Sequence, residues 1–117
     1  MALTIERRLV KDEKGRITFA VFRPSGRPHY NLEVFLDGPP QELAKVQRVE
    51  YQLHPSFRRP VRASNNPKNG FQISIWTWGM FDIAVAIEYI DGHKEKQEFY
   101  LSYDLPSDDG TDYVDVS

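Results

Sequence analysis

Phe81, Ile83, Val85, Ile87 and Tyr89 alternate without a break with Asp82, Ala84, Ala86 and Glu88. A period of two puts the apolar set on one face of a strand and the polar and small set on the other. Wound as a helix, the same residues would scatter around the axis, so the segment demands a half-buried sheet. The pattern recurs along the chain. Leu3, Ile5 and Leu9 share one spacing class, followed by Ile17, Phe19 and Val21, then Tyr30, Leu32, Val34 and Leu36. Val49, Tyr51 and Leu53 follow, then Phe71, Ile73 and Ile75, and finally Phe99, Leu101, Tyr103 and Leu105. Turn signals separate the runs: Lys11–Gly15, the proline-rich Arg23–Pro28, Asp37-Gly38-Pro39-Pro40, and Asp91-Gly92-His93-Lys94. Gln41–Lys45 has room for a single helical turn, and Arg58–Gly70 reads as an irregular loop. Seven or eight short strands of this kind predict an all-β fold, an immunoglobulin-like antiparallel β-sandwich.

The chain's 117 residues suit one domain. Residues 1–106 carry the strand pattern. Residues 107–117 are acidic with little to bury, and read as a tail or as a linker to a further domain. Fifteen basic and seventeen acidic residues leave a formal charge of −2, which provides no field for a nucleic-acid backbone. With no cysteine, disulfides, thiolate catalysis and Cys-based zinc sites are excluded. No apolar run approaches the roughly 18 residues of a membrane span, and the first residues lack a signal-peptide core. The expected location is the cytoplasm, or the nucleus in a eukaryotic cell. No cofactor is expected.

Two stretches break the strand logic. Leu53-His54-Pro55-Ser56-Phe57 and Trp76-Thr77-Trp78-Gly79-Met80-Phe81 crowd aromatic and hydrogen-bonding residues into presumed loops. Taken singly each residue has a plain reading. Phe57 serves equally as the last core residue of its strand, Trp76 as a structural ring, Phe81 as core, and His54 as a hydrogen-bonded structural histidine. Arg58, Arg59, Arg62 and Lys68 form a basic cluster, either a solvated loop or a patch that steers an acidic partner. His54 and Ser56 lie two apart, yet nothing nearby supplies the orienting acid of a nucleophile–base pair. His29, His54 and His93 are too dispersed for a metal site, and no glycine-rich phosphate loop is present. The chain reads as a non-enzyme.

Together the stretches resemble a known family. Val49–Arg62 is similar to the middle of a YEATS domain, where a strand runs into Leu-His-x-Ser-Phe and then a basic, proline-containing loop. Trp78-Gly79-Met80-Phe81 looks like that family's Trp-Gly-x-Phe segment, and His29–Gly38 resembles its earlier strand. The likeness covers about residues 29–90. Departures are Thr77 where glycine is common, Asn65–Phe71 in place of a Pro-Pro-aromatic segment, and no counterpart near Pro28 of an early-loop aromatic. The resemblance implies a sandwich that reads acylated lysine, acetyl or crotonyl, on a partner protein or peptide. It assigns Phe57 and Trp78 as walls and Ser56 and the Trp78 backbone as hydrogen-bond partners. His54 then supports the pocket, Thr77 stands among the acyl-lysine-binding residues, Gly79 allows a tight bend next to the ligand, and Phe81 closes the floor. Arg58, Arg59 and Arg62 are expected to steer the partner. The alternative is an interaction module of the same fold that has lost acyl-lysine reading and binds an unmodified peptide or a partner domain.

Overall fold

The alternating segment at residues 81–89 is a strand, and its two faces separate as the period requires. Ile83, Val85 and Ile87 are at most 1% exposed, while Asp82 faces solvent. The computed structural model describes residues 3–22, 26–105 and 113–116. In chain order the strands are β1 (Thr4–Leu9), β2 (Ile17–Phe22), β3 (Arg27–Asp37), β4 (Val46–Gln52) and β5 (Val61–Ser64). After these come β6 (Ile73–Thr77), β7 (Phe81–Tyr89), β8 (Lys94–Leu101) and β9 (Tyr113–Asp115). One helical turn, α1 (Pro40–Leu43), links β3 to β4. Among the described residues no helix is long and apolar enough to cross a membrane.

Two sheets result. One runs β1-β3-β2-β9 with β6 also paired to β3, and the other runs β5-β4-β7-β8. Every pairing between these strands is antiparallel except β2 with β9. Between the sheets, Leu32, Val34 and Leu36 of β3 meet Val49 and Tyr51 of β4 and the apolar face of β7. Sheet-on-sheet burial of this set, with polar residues outward, is the sandwich that the alternation predicts.

Three departures are informative. The Arg58–Gly70 loop contains β5, which pairs with β4 from Val49 opposite Ser64 to Gln52 opposite Val61. Its four residues alternate too briefly to register as a strand in the sequence. Pro28, assigned to a loop, lies within β3 opposite Val21. Strand β6 reaches only as far as Thr77 opposite Tyr30, so the missing Pro28 N–H has no second neighbour to serve. The expected tail over 107–117 is corrected in part: Tyr113–Asp115 form β9 beside Ile17–Phe19 of β2. The Tyr113 ring packs 6.2 Å from Tyr30, and Val116 N–H donates to the Phe19 carbonyl at 2.8 Å. Composition registers the charge of this segment but not the open strand edge that receives it. Residues 106–112 and 117 lie outside the described residues.

Phe71 was grouped with Ile73 and Ile75 by spacing, yet it precedes the strand. Gly70 and Phe71 both have positive φ, +70° and +57°, and this turn drives the Phe71 ring into full burial. Its carbonyl accepts the Tyr51 hydroxyl at 2.6 Å. A Cβ at position 70 would stand 2.6 Å from the Leu36 carbonyl oxygen, so glycine alone fits there.

Candidate functional site

Strand β4 delivers the chain to a tight turn, His54–Phe57, in which Phe57 N–H donates to the His54 carbonyl at 3.0 Å. Pro55 occupies the second position, where its fixed φ favours such turns. Further out, Leu53 N–H donates to the Pro60 carbonyl at 2.7 Å and closes the loop. The His54 ring folds back over the turn. Its Nδ1 accepts the Ser56 backbone N–H at 3.1 Å and lies 2.8 Å from Ser56 Oγ. A ring nitrogen that accepts a backbone N–H carries no proton, so the neutral tautomer holds its hydrogen on Nε2. At the 2.8 Å contact the hydroxyl is therefore the donor. The lone pairs of Ser56 Oγ remain available as acceptors.

The facing wall is the connection from β6 to β7. Thr77 Oγ1 donates to the Gly79 carbonyl at 3.1 Å and accepts the Gly79 N–H at 3.2 Å. The Tyr103 hydroxyl donates to the same carbonyl at 3.2 Å, and burial pushes its pKa upward, keeping it protonated. Thr77 thus pins the loop with a hydroxyl that glycine would lack. The expectation that Gly79 is needed for a tight bend is corrected. Its φ is not in the positive region, and a Cβ there would meet nothing within 4 Å.

Trp78 is 55% exposed, with the Arg27 guanidinium 4.5 Å from its ring centroid. The cation covers one face of the indole and braces it. Phe57 is half-buried and leans on Phe81, with centroids 5.2 Å apart and planes at 51°. Phe81 packs in turn on the core and lies 6.3 Å from the His54 ring. The Phe57 and Trp78 rings make no direct contact, each being held by its own partner.

Between these walls lies an open cavity of about 470 Å³. His54, Ser56, Phe57, Thr77, Trp78, Gly79 and Phe81 all line it. Of the three expected arginines only Arg58 lines it. Arg59 is exposed, and Arg62 Nε donates to the Arg59 carbonyl at 2.8 Å, holding the loop's shape. Three further residues complete the lining: His29, Trp76 and Met80. Trp76, expected as a structural ring, lines the slot as well. His29 was not legible as a lining residue, because only the β3–β6 register carries the start of β3 to this end of the sandwich. An aromatic flank exists here despite Pro28: Phe22 meets His29 edge-on at 4.8 Å and Trp76 at 6.0 Å. No group of three or more His, Asp or Glu side chains among the described residues gathers as a metal site would require.

Fold and cavity define a class, an immunoglobulin-like β-sandwich whose end loops build an open aromatic slot. Residues 30–102 match the model of the prokaryotic YEATS domain. The chain belongs to that family. Transcription initiation factor TFIID subunit 14 of Schizosaccharomyces pombe is 36% identical over 67 residues, covering 56% of this chain and 27% of that protein. The Protein AF-9 homolog of Eremothecium gossypii is 31% identical over 80 residues, covering 66% and 37%. The chain therefore spans well under half the length of these relatives. Among solved structures, the Yaf9 YEATS domain recognizing an H3K122suc peptide superposes with a TM-score of 0.60 at 18% identity, covering 86% of this chain and 71% of that one. The Yaf9 YEATS domain bound to H3K27ac gives 0.59 at 19% identity, covering 91% and 79%. These two likenesses show the fold.

Proposed function

We propose that the slot binds the side chain of an acylated lysine, and that the protein is a non-catalytic reader of that mark on a partner protein or peptide. The observation that carries this is the juxtaposition of an acceptor, Ser56 Oγ, with aromatic walls around a cavity of about 470 Å³. That volume falls within the range of about 300–1,000 Å³ typical of small-ligand sites. An acyl amide is flat, neutral and apolar at its far end. It slides between rings at the cost of few hydrogen bonds, and Ser56 Oγ meets its N–H while the Trp78 backbone N–H meets its oxygen.

Charge supports the same reading. None of the lining residues is acidic, and Arg58 is among them. A free lysine ammonium entering the slot would lose its hydration, meet a like charge and find no carboxylate. Acylation removes that charge. Catalysis is disfavoured by the site's chemistry: Ser56 and His54 touch, but His54 Nε2 donates to no carboxylate among the described residues. The two Yaf9 YEATS domains, one recognizing an H3K122suc peptide and one bound to H3K27ac, agree in ligand class. We place the protein in the cytoplasm, or in the nucleus of a eukaryotic cell.

Both tryptophans of the chain line the slot, so intrinsic fluorescence reports on its occupancy. Titration with acetyl- and crotonyl-lysine peptides is expected to give a saturable change that the unmodified peptide does not produce. Equal binding of the unmodified peptide would overturn the reading in favour of a plain interaction module.

A further inference from the structure

Charge around the slot is one-sided, although the chain as a whole holds 17 acidic against 15 basic residues. Arg58 lines the cavity, Arg27 lies against the outer indole, and no lining residue is acidic. Several other arginines are paired with a carboxylate nearby: Arg7 with Glu6, Arg8 with Glu33, Arg16 with Asp12 and Arg48 with Glu50. Among the described residues neither Arg58 nor Arg59 has a carboxylate within ion-pairing distance. Both side chains are exposed. Their loop is fixed from behind, by Arg62 Nε on the Arg59 carbonyl at 2.8 Å and by Leu53 N–H on the Pro60 carbonyl at 2.7 Å. Two guanidinium groups are thus presented on a loop held by these bonds, with no carboxylate partner among the described residues, directly after the slot wall Phe57.

We infer that the protein reads its lysine in an acidic sequence context. The partner is a protein segment with Asp or Glu flanking the modified lysine, and Arg58 and Arg59 receive those carboxylates. The inference rests on the acyl-lysine reading of the slot and adds the chemistry of what surrounds the lysine. In an extended peptide each neighbour is displaced by about 3.3 Å, so the residues one and two away stand within a Debye length of the loop, about 10 Å at 0.1 M salt. A basic tail presents like charges at the same places and is repelled. Arginine suits the role because its planar fork takes a carboxylate through two parallel hydrogen bonds.

The test uses acetyl-lysine peptides of equal length with two glutamates, two serines or two lysines on each side, together with their unmodified counterparts. A succinyl-lysine peptide with serine flanks is included. Tryptophan fluorescence gives Kd at about 50 mM and about 500 mM salt, where the Debye length falls to a few ångströms. The expected order is acidic over neutral over basic, with the spread contracting at high salt. Arg58→Gln with Arg59→Gln is expected to shrink the acidic-to-basic ratio by about two- to fivefold per arginine, the scale of exposed ion pairs. Equal or better binding of the basic peptide overturns the inference, and so does an acidic preference that survives the double substitution. If the succinyl peptide gains affinity while acidic flanks give none, the carboxylate belongs at the acyl end and the flank assignment is overturned. If acetylated and unmodified peptides bind alike, the acyl-lysine reading falls. The order among unmodified peptides then decides the charge question alone: an arginine-dependent acidic preference upholds it and its absence overturns it.

Discussion

Ser56→Ala isolates the polar chemistry of the slot from its shape. In the free protein the hydroxyl makes one local hydrogen bond, to His54 Nδ1 at 2.8 Å, on an exposed turn that backbone bonds already hold. Removing it is expected to cost stability less than about 0.5 kcal/mol, as for most exposed positions. The bound state differs. There Oγ accepts the ligand's amide N–H, and alanine leaves that donor buried without a partner. The penalty for such an orphan is about 1–3 kcal/mol, or roughly 5- to 150-fold in Kd. Fluorescence titration with an acetyl-lysine peptide measures the affinity, and urea unfolding measures the stability. A second ligand completes a cycle. Methylating the acetyl-lysine side-chain nitrogen removes the same N–H, so the two changes together should weaken binding far less than their separate effects summed. Additive losses would refute the assigned hydrogen bond. A change under twofold in Ser56→Ala would refute the role of the hydroxyl altogether.

Other predictions concern the frame that holds the slot. Gly70→Ala puts a side chain into a left-handed backbone with its Cβ 2.6 Å from the Leu36 carbonyl oxygen, so a loss of at least about 2 kcal/mol is expected in denaturant unfolding. Gly79→Ala, with no atom within 4 Å of its Cβ and no positive φ, should leave stability within about 0.5 kcal/mol. Tyr51→Phe leaves the buried Phe71 carbonyl without its 2.6 Å donor and is expected to cost about 1–3 kcal/mol by the same measurement. Stability should also fall on the alkaline side. Desolvation first, then the hydrogen bond to Glu95, pushes Tyr89 from 10.0 up to about 12, and burial pushes Tyr51 up as well. The folded state thus keeps protons that the unfolded chain releases, so stability is intact below pH 10 and declines as pH rises from about 10 through 12. A flat profile across that window in thermal melts would contradict the burial of these hydroxyls.

Much of the site was legible because its residues sit close together in the chain. Leu53–Phe57 and Trp76–Phe81 are each one short stretch of chain, so seven lining residues could be named from sequence. The two strands that deliver those loops are marked by alternation that survives any detail of packing. His29 escaped because its neighbours in the chain say nothing of the slot; it arrives only through the pairing of Tyr30 with Thr77. Phe22 likewise reaches Trp76 across the sheet and not along the chain. The role given to Gly79 failed for a different reason: glycine in a sequence signals permitted conformations, not the one adopted.

By itself the sequence determined the longer alternating strands, their inward faces and the membership of two aromatic stretches, since a period of two is imposed by backbone geometry before any tertiary contact forms. Tertiary structure alone decided which rings lean on which, that the Tyr113–Asp115 segment pairs with the edge of β2, and that Arg58 and Arg59 have no carboxylate within ion-pairing distance among the described residues. Those outcomes depend on long-range register and on the distances between charges far apart in the chain. Local propensity carries no record of either.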